Sequence, residues 1–122
     1  MQSTAAVFDQ NAALAHVDGD VFILKDLATM LIDRYPDMVA KIEASIQRRD
    51  AESLYRAAHT LEGSLTTFFA QPAIAVTKSL QSICETEKWD EALGLVASLN
   101  AELQRLVKEL QSLTEDSPRQ SS

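Results

Sequence analysis

His59 and Gly63 are the residues whose types and spacing suggest chemistry in this chain of 122 residues. An imidazole can attack a phosphoryl group through one ring nitrogen while the other is hydrogen-bonded, and the phosphoramidate formed passes the phosphoryl group onward readily. Gly63 follows His59 by one turn in the interior of a predicted helix, where glycine costs about 1 kcal/mol relative to alanine. A glycine at that position indicates that something needs close access to the imidazole.

The helical period places His59 on the solvent side of its helix. The apolar seam of this helix is formed by Leu54, Ala58, Leu61, Leu65 and Phe68. At about 100° per residue, the seam clusters within roughly 40° of one direction, and His59 falls roughly 140° away from it. This geometry argues against a core histidine bonded to the backbone. A surface histidine without a role remains open on spacing alone.

The other reactive side chains form no catalytic or metal-binding pattern. We assign His16, at the end of a short predicted helix near Asp18, a capping or surface role. Cys84 is the only cysteine, which excludes an internal disulfide, and its neighbours Leu80 and Ile83 predict a buried thiol. The sequence has no HExxH pairing, Gly-rich nucleotide loop or GxSxG elbow, so we expect no metal site, ATP-dependent kinase activity or serine nucleophile.

Charge and hydropathy exclude several further classes. The formal net charge of −7 repels nucleic-acid phosphates and anionic membrane surfaces. No apolar run approaches the roughly 18 residues needed to span a bilayer, and the N-terminal MQSTAAVFDQ lacks the basic and apolar regions of a secretory signal. We therefore expect a cytoplasmic protein that neither binds nucleic acid nor inserts into a membrane.

Length and composition predict one all-α domain. The chain is 46% hydrophobic and has only three glycines and three prolines, so propensity favours helix along most of its length. We expect an antiparallel up-down four-helix bundle with N-terminal helical additions. The bundle should occupy residues 9–114, between a flexible N-terminus at 1–8 and a disordered tail or linker at 115–122.

Capping residues and apolar periods locate the helices. Asp9 opens a short helix that ends before Asp20, and a longer one begins at Val21. Pro36 leaves open whether that arm is one kinked helix or two. The remaining helices are expected at about 51–69, at 72–87 and from Trp89 for about 24 residues. In the last helix, the positions predicted to face inward are Leu93, Val96, Leu99, Leu103, Leu106, Leu110 and Leu113.

The segment around His59 resembles the signature of histidine-containing phosphotransfer (HPt) domains. It reads AHTLEGSLTTFFA, against a family pattern of roughly AHxLKGSSxxxGA, and the preceding DAESLYRA resembles the usual lead-in. The resemblance covers about residues 8–113. It implies that His59 is the phosphoryl acceptor, that Gly63 leaves room for it, and that the polar side chain of Gln81 hydrogen-bonds the histidine ring.

Two departures from this pattern bear on the site. Glu62 replaces the usual lysine, one turn from His59, and its negative charge is expected to disfavour a phosphoryl group there modestly. Lys78 or Arg56 could supply the missing positive charge. Phe69 replaces the late glycine, so the end of this helix is expected to pack differently.

The resemblance implies a phosphorelay intermediate that takes a phosphoryl group from a receiver-domain aspartate and passes it to another receiver. Mg²⁺ is expected on the receiver, and the chain itself is expected to need no cofactor and to be a monomer. Two alternatives remain at this point. One is a helical interaction module whose histidine is vestigial, and the other is an enzyme or metalloprotein that uses His16 and His59 together.

Overall fold

The computed structural model describes residues 7–115, and every regular element in that range is a helix. The helices are α1 (Gln10–His16), α2 (Val21–Arg48), α3 (Ala51–Thr66), α4 (Gln71–Thr86) and α5 (Trp89–Glu115). The all-α class is confirmed. No helix in this range combines the length and apolar character needed to cross a membrane.

Helices α2 to α5 form the bundle and stand at the corners of a square. Each connection is short, at residues 49–50, 67–70 and 87–88, so successive helices run antiparallel. Helices α3 and α5 both pack against α2 and α4, whereas α3 and α5 make no backbone contact with each other in the described part of the chain. Helix α3 therefore has a neighbour on each flank and one face open to solvent.

The core follows the predicted apolar seams, with one exception. All five residues of the predicted seam around His59 are buried, four of them on α3 and Phe68 just beyond its end. On α5 the positions from Val96 to Leu110 that were predicted to face inward are buried as well, but Leu93 is 66% exposed and Ala92 is buried instead. The prediction for Leu93 is wrong because this residue lies roughly 100° from the centre of the seam. The helical period places Ala92, not Leu93, at that centre.

Aspartate side chains cap the first three helices. Asp9 accepts a hydrogen bond from the backbone N–H of Ala12, and Asp20 accepts two from the start of α2. Asp50 accepts from both the backbone N–H and the hydroxyl of Ser53, at 3.1 and 2.8 Å. These hydrogen bonds lower the pKa of Asp50, because they favour its charged form.

Two features of the predicted helices, the continuity of the second and the end of the third, are decided by the structure. Helix α2 continues through the exposed Pro36, which resolves the alternative in favour of one helix. Helix α3 ends at Thr66 rather than at 69, because Phe69 adopts a left-handed conformation with φ of 53°. That conformation favours glycine, and Phe69 occupies the position where the HPt pattern has one.

The N-terminal segment covers the turn between α3 and α4. Val7 and Phe8, assigned above to the flexible N-terminus, pack against the core. The ring of Phe8 meets Phe68 edge-on at 6.2 Å between centroids, and the N–H of Asp9 donates to the carbonyl of Phe68 at 3.1 Å. The remaining residues of the two predicted flexible ends, 1–6 and 116–122, lie outside the described part of the structure.

Candidate functional site around His59

His59 lies in the middle of α3, on the face that neither α2 nor α4 covers. Its side chain is 67% exposed, which confirms the orientation predicted from the helical period. The buried neighbours Ala58 and Leu61 anchor this turn of α3 in the core. The imidazole is thus presented to solvent by a segment whose position is fixed by packing.

Tyr55, one turn before His59, stacks against the imidazole ring. The two rings are stacked, with centroids 5.8 Å apart and planes 6° from parallel. Side chains four residues apart on a helix are neighbours, and parallel offset stacking is a favourable arrangement of two flat rings. Tyr55 was not among the predicted site residues, although an aromatic residue on the exposed face four positions before the candidate nucleophile was a usable signal.

Glu62 faces the edge of the same imidazole. Its Oε1 lies 3.9 Å from Nδ1 of His59, and Oε1 also accepts a hydrogen bond from Nε2 of Gln81 at 2.6 Å. Nζ of Lys78 lies 3.8 Å from the other carboxylate oxygen. The side chain of Glu62 is only 20% exposed, and its carboxylate connects α3 to α4.

Two of the expected side-chain partners differ from those in the structure. Gln81 donates to Glu62 rather than to His59, because a carboxylate is a stronger acceptor than a neutral ring nitrogen. Arg56 pairs with Glu52 at 2.9 Å, and both side chains are well exposed. Lys78, not Arg56, is therefore the cation that faces Glu62.

Gly63 leaves the surface beside His59 open. A Cβ atom built on Gly63 would meet no atom within 4 Å, so the packing of this chain does not require a glycine there. The missing side chain still costs helix stability. These two facts are consistent with a requirement for access to His59 from outside the bundle.

Cys84 borders the site but lacks the properties of a reactive thiol. It lines a shallow depression together with Tyr55, Arg56 and His59, and it is half-buried rather than fully buried as predicted. Burial raises the pKa of the thiol, so the nucleophilic thiolate is disfavoured at neutral pH.

The structure gives His16 different surroundings from His59. The ring of His16 is exposed and meets Phe69 edge-on, with centroids 6.2 Å apart. Within residues 7–115, no group of three or more His, Cys, Asp or Glu side chains is arranged to hold a metal ion. No contact in the structure links His16 with His59 in one site.

Comparison with known protein families identifies the family of this chain. The pattern of the Hpt domain family matches residues 26–113, which is most of the chain, and the chain therefore belongs to this family. Among curated proteins, none matches the chain in sequence.

Two solved structures have the same fold. Histidine-containing phosphotransfer protein B (HptB) from Pseudomonas aeruginosa PAO1 is 15% identical, with a TM-score of 0.84 over 93% of this chain and 99% of that one. The HPT domain of an Hpt sensor hybrid histidine kinase from Shewanella is also 15% identical, with a TM-score of 0.74 over 92% of this chain and 97% of that one. At this identity, the two matches establish the helical-bundle fold.

Proposed function

We propose that this domain is a phosphorelay intermediate that accepts a phosphoryl group on His59 from a receiver-domain aspartate and passes it to a second receiver. Family membership supports phosphotransfer in two-component signalling. The assignment to His59 rests on its exposed imidazole, which is presented by an anchored turn of α3. The surface beside it, at Gly63, is open.

In the proposed reaction, a ring nitrogen of His59 attacks the phosphorus of an aspartyl phosphate. The N–P bond forms while the P–O bond breaks, and the aspartate carboxylate leaves with the electron pair of that bond. The reverse reaction with a second receiver regenerates the free imidazole. Mg²⁺ and most of the charge-stabilising groups belong to the receiver in this scheme, so the domain contributes the nucleophile and its orientation.

The partners in this proposal are receiver domains, either of response regulators or of a hybrid sensor kinase. The domain acts as a monomer in the cytoplasm, without ATP-dependent kinase activity of its own. It docks through the exposed face of α3, because an aspartyl phosphate must reach the imidazole of His59 directly.

His59→Gln tests the assignment. We expect this variant to accept no phosphoryl group from a phosphorylated receiver that labels the wild-type domain, since glutamine has no nucleophilic ring nitrogen. The melting temperature should stay within a few degrees of wild type, because the side chain makes no core contacts. Transfer is measured with a panel of radiolabelled phospho-receivers, and unfolding is followed by circular dichroism.

His16→Gln is the matched control and should accept phosphate normally. Labelling that persists in His59→Gln would place the acceptor elsewhere, and loss of folding would make His59 structural. If no receiver in a complete panel from the same organism labels the wild-type domain, the alternative of an interaction module with a vestigial histidine is favoured.

A further inference from the structure

Glu62 is the most unexpected feature of the site, because a negative charge beside a phosphoryl acceptor is unfavourable on simple Coulombic grounds. The structure nevertheless holds its carboxylate in place from two directions. Gln81 donates to Oε1 at 2.6 Å, and the ammonium group of Lys78 lies 3.8 Å from Oε2. A repulsive side chain with no role would be expected to extend into solvent instead.

The third group near the Glu62 carboxylate is the imidazole of His59, and it is Nδ1 that faces Oε1, at 3.9 Å. A carboxylate has about four lone-pair positions, so Oε1 can accept the Nδ1–H in addition to the amide of Gln81. The distance is about 1 Å too long for a hydrogen bond. Catalytic hydrogen bonds are often long in the free protein and shorten in the reactive complex.

We propose that Glu62 is a positioning residue for the nucleophile: its carboxylate accepts the Nδ1–H of His59 and thereby leaves the reactive lone pair on Nε2. The importance of this contact for transfer rests on the function proposed above. Stacking of Tyr55 against His59 sets the plane of the ring, and Glu62 selects which of its nitrogens carries the proton. Gln81 acts on the ring through Glu62 rather than directly.

The transfer step is balanced without any proton donor or acceptor from solution. The Nε2 lone pair forms the N–P bond, the P–O bond of the aspartyl phosphate breaks, and its electron pair leaves on the aspartate carboxylate. The proton on Nδ1 stays on the ring, which becomes positively charged as the bond forms. Glu62 stabilises that positive charge in the way that a carboxylate stabilises a catalytic imidazolium.

The positions of the groups determine which electrostatic effect of Glu62 is larger during attack. The carboxylate lies on the Nδ1 side of the ring, whereas the phosphoryl group is bound across the ring at Nε2. Attraction to the developing imidazolium therefore acts over a shorter distance than repulsion of the phosphoryl oxygens. Lys78 offsets part of that repulsion from its position beside Oε2.

The proton position can be measured on the free protein by ¹⁵N NMR of the histidine rings at pH about 9, well above the ordinary pKa of an imidazole. We expect His59 to be predominantly Nδ1–H in the wild type, with His16 showing the Nε2–H preference of an isolated histidine. Glu62→Leu should shift His59 toward the ratio seen at His16, and Glu62→Gln should have a smaller effect. Glu52→Gln, which removes an exposed carboxylate from the same helix, should leave the ratio unchanged.

The kinetic consequence is that the initial rate of phosphoryl acceptance should be about tenfold lower in Glu62→Leu than in wild type. A factor of about ten corresponds to the free-energy contribution of one charge-assisted hydrogen bond at a partly exposed site. A wild-type His59 with the same proton distribution as His16 would overturn the proposal, as would an unchanged acceptance rate in Glu62→Leu. If no receiver phosphorylates the wild-type domain, the proposed function fails, but the NMR comparison still decides whether Glu62 positions the ring.

Discussion

Glu62 faces the ring of His59 and pairs with Lys78, and the charges of these two side chains act on phosphohistidine in opposite directions. Their charged groups lie 3.8 Å apart, with the Glu62 side chain mostly shielded and the Lys78 side chain 66% exposed. A phosphoryl group on His59 adds close to two negative charges. Lys78 then becomes the nearest identified cation on α4 that can offset both the phosphoryl group and Glu62.

Lys78→Ala is therefore expected to shorten the lifetime of phospho-His59. Surface charge pairs contribute at most about 1 kcal/mol, so we expect a change of about twofold to fivefold at low salt. The change should shrink at about 0.5 M salt, where the Debye length is only a few ångströms. Decay of isolated, labelled domain at two ionic strengths measures this directly.

Lys88→Ala is the matched control, since this exposed lysine lies beyond the end of α4 and should not affect the lifetime. Equal lifetimes for Lys78→Ala and wild type at low salt would show that Lys78 has no electrostatic role. A change that is the same at both salt concentrations would point to lost packing or hydrogen bonding instead.

The exposure of His59 could be predicted from the sequence, whereas the partners of Glu62 could not. The first depends only on the helical period within α3, which is a local property of the chain. The second depends on how α3 packs against α4, because Glu62 and Gln81 are 19 residues apart. The resemblance to the family paired Gln81 with the ring of His59, whereas the structure pairs it with Glu62, and the choice between two neighbouring acceptors depends on differences of a few ångströms.

Helix α3 contains a glycine that its own packing does not need. Gly63 is exposed in the helix interior, and a Cβ atom there would meet nothing within 4 Å. Gly63→Ala is therefore expected to raise the free energy of unfolding by about 1 kcal/mol. If the open surface serves receiver docking, the same variant should accept phosphate more slowly.

Gly94→Ala provides the control for that prediction, because Gly94 is equally exposed in the interior of α5 and has open space around it. It should stabilise the fold by a similar amount without slowing acceptance. Denaturant unfolding and transfer from one receiver are measured for both variants. Unimpaired acceptance in Gly63→Ala would show that the glycine is not needed for access.

The end of α3 shows where element prediction failed and why. The apolar period continues through Phe68, so it predicts helix to 69, but Phe69 has a φ of 53° and α3 ends at Thr66. A left-handed phenylalanine is unfavourable by itself. Its ring packs against the core and meets His16 of α1, and these tertiary contacts are not visible in the local pattern.

For the whole molecule, the square arrangement separates the site from much of the core. His59, Tyr55 and Glu62 are on α3, while α5 occupies the opposite corner, and within the bundle its backbone comes close only to α2 and α4. The fold matches solved structures at 15% identity. Apolar periodicity and short connections specify such a bundle, which explains why the architecture could be predicted while individual contacts at the site could not.

This separation predicts that stability and phosphotransfer can be changed independently. Leu103 is fully buried on α5, so Leu103→Ala should lower the free energy of unfolding by about 2–5 kcal/mol through lost burial and a residual cavity. Its rate of phosphoryl acceptance, measured well below its own melting temperature, should equal that of wild type. His59→Gln should behave in the opposite way, and the stability effects should add in the double variant because the two residues lie on diagonally opposite helices, one exposed and one buried. A slower transfer rate in folded Leu103→Ala would instead show that the packing of α5 is coupled to the geometry of His59 through α2 or α4.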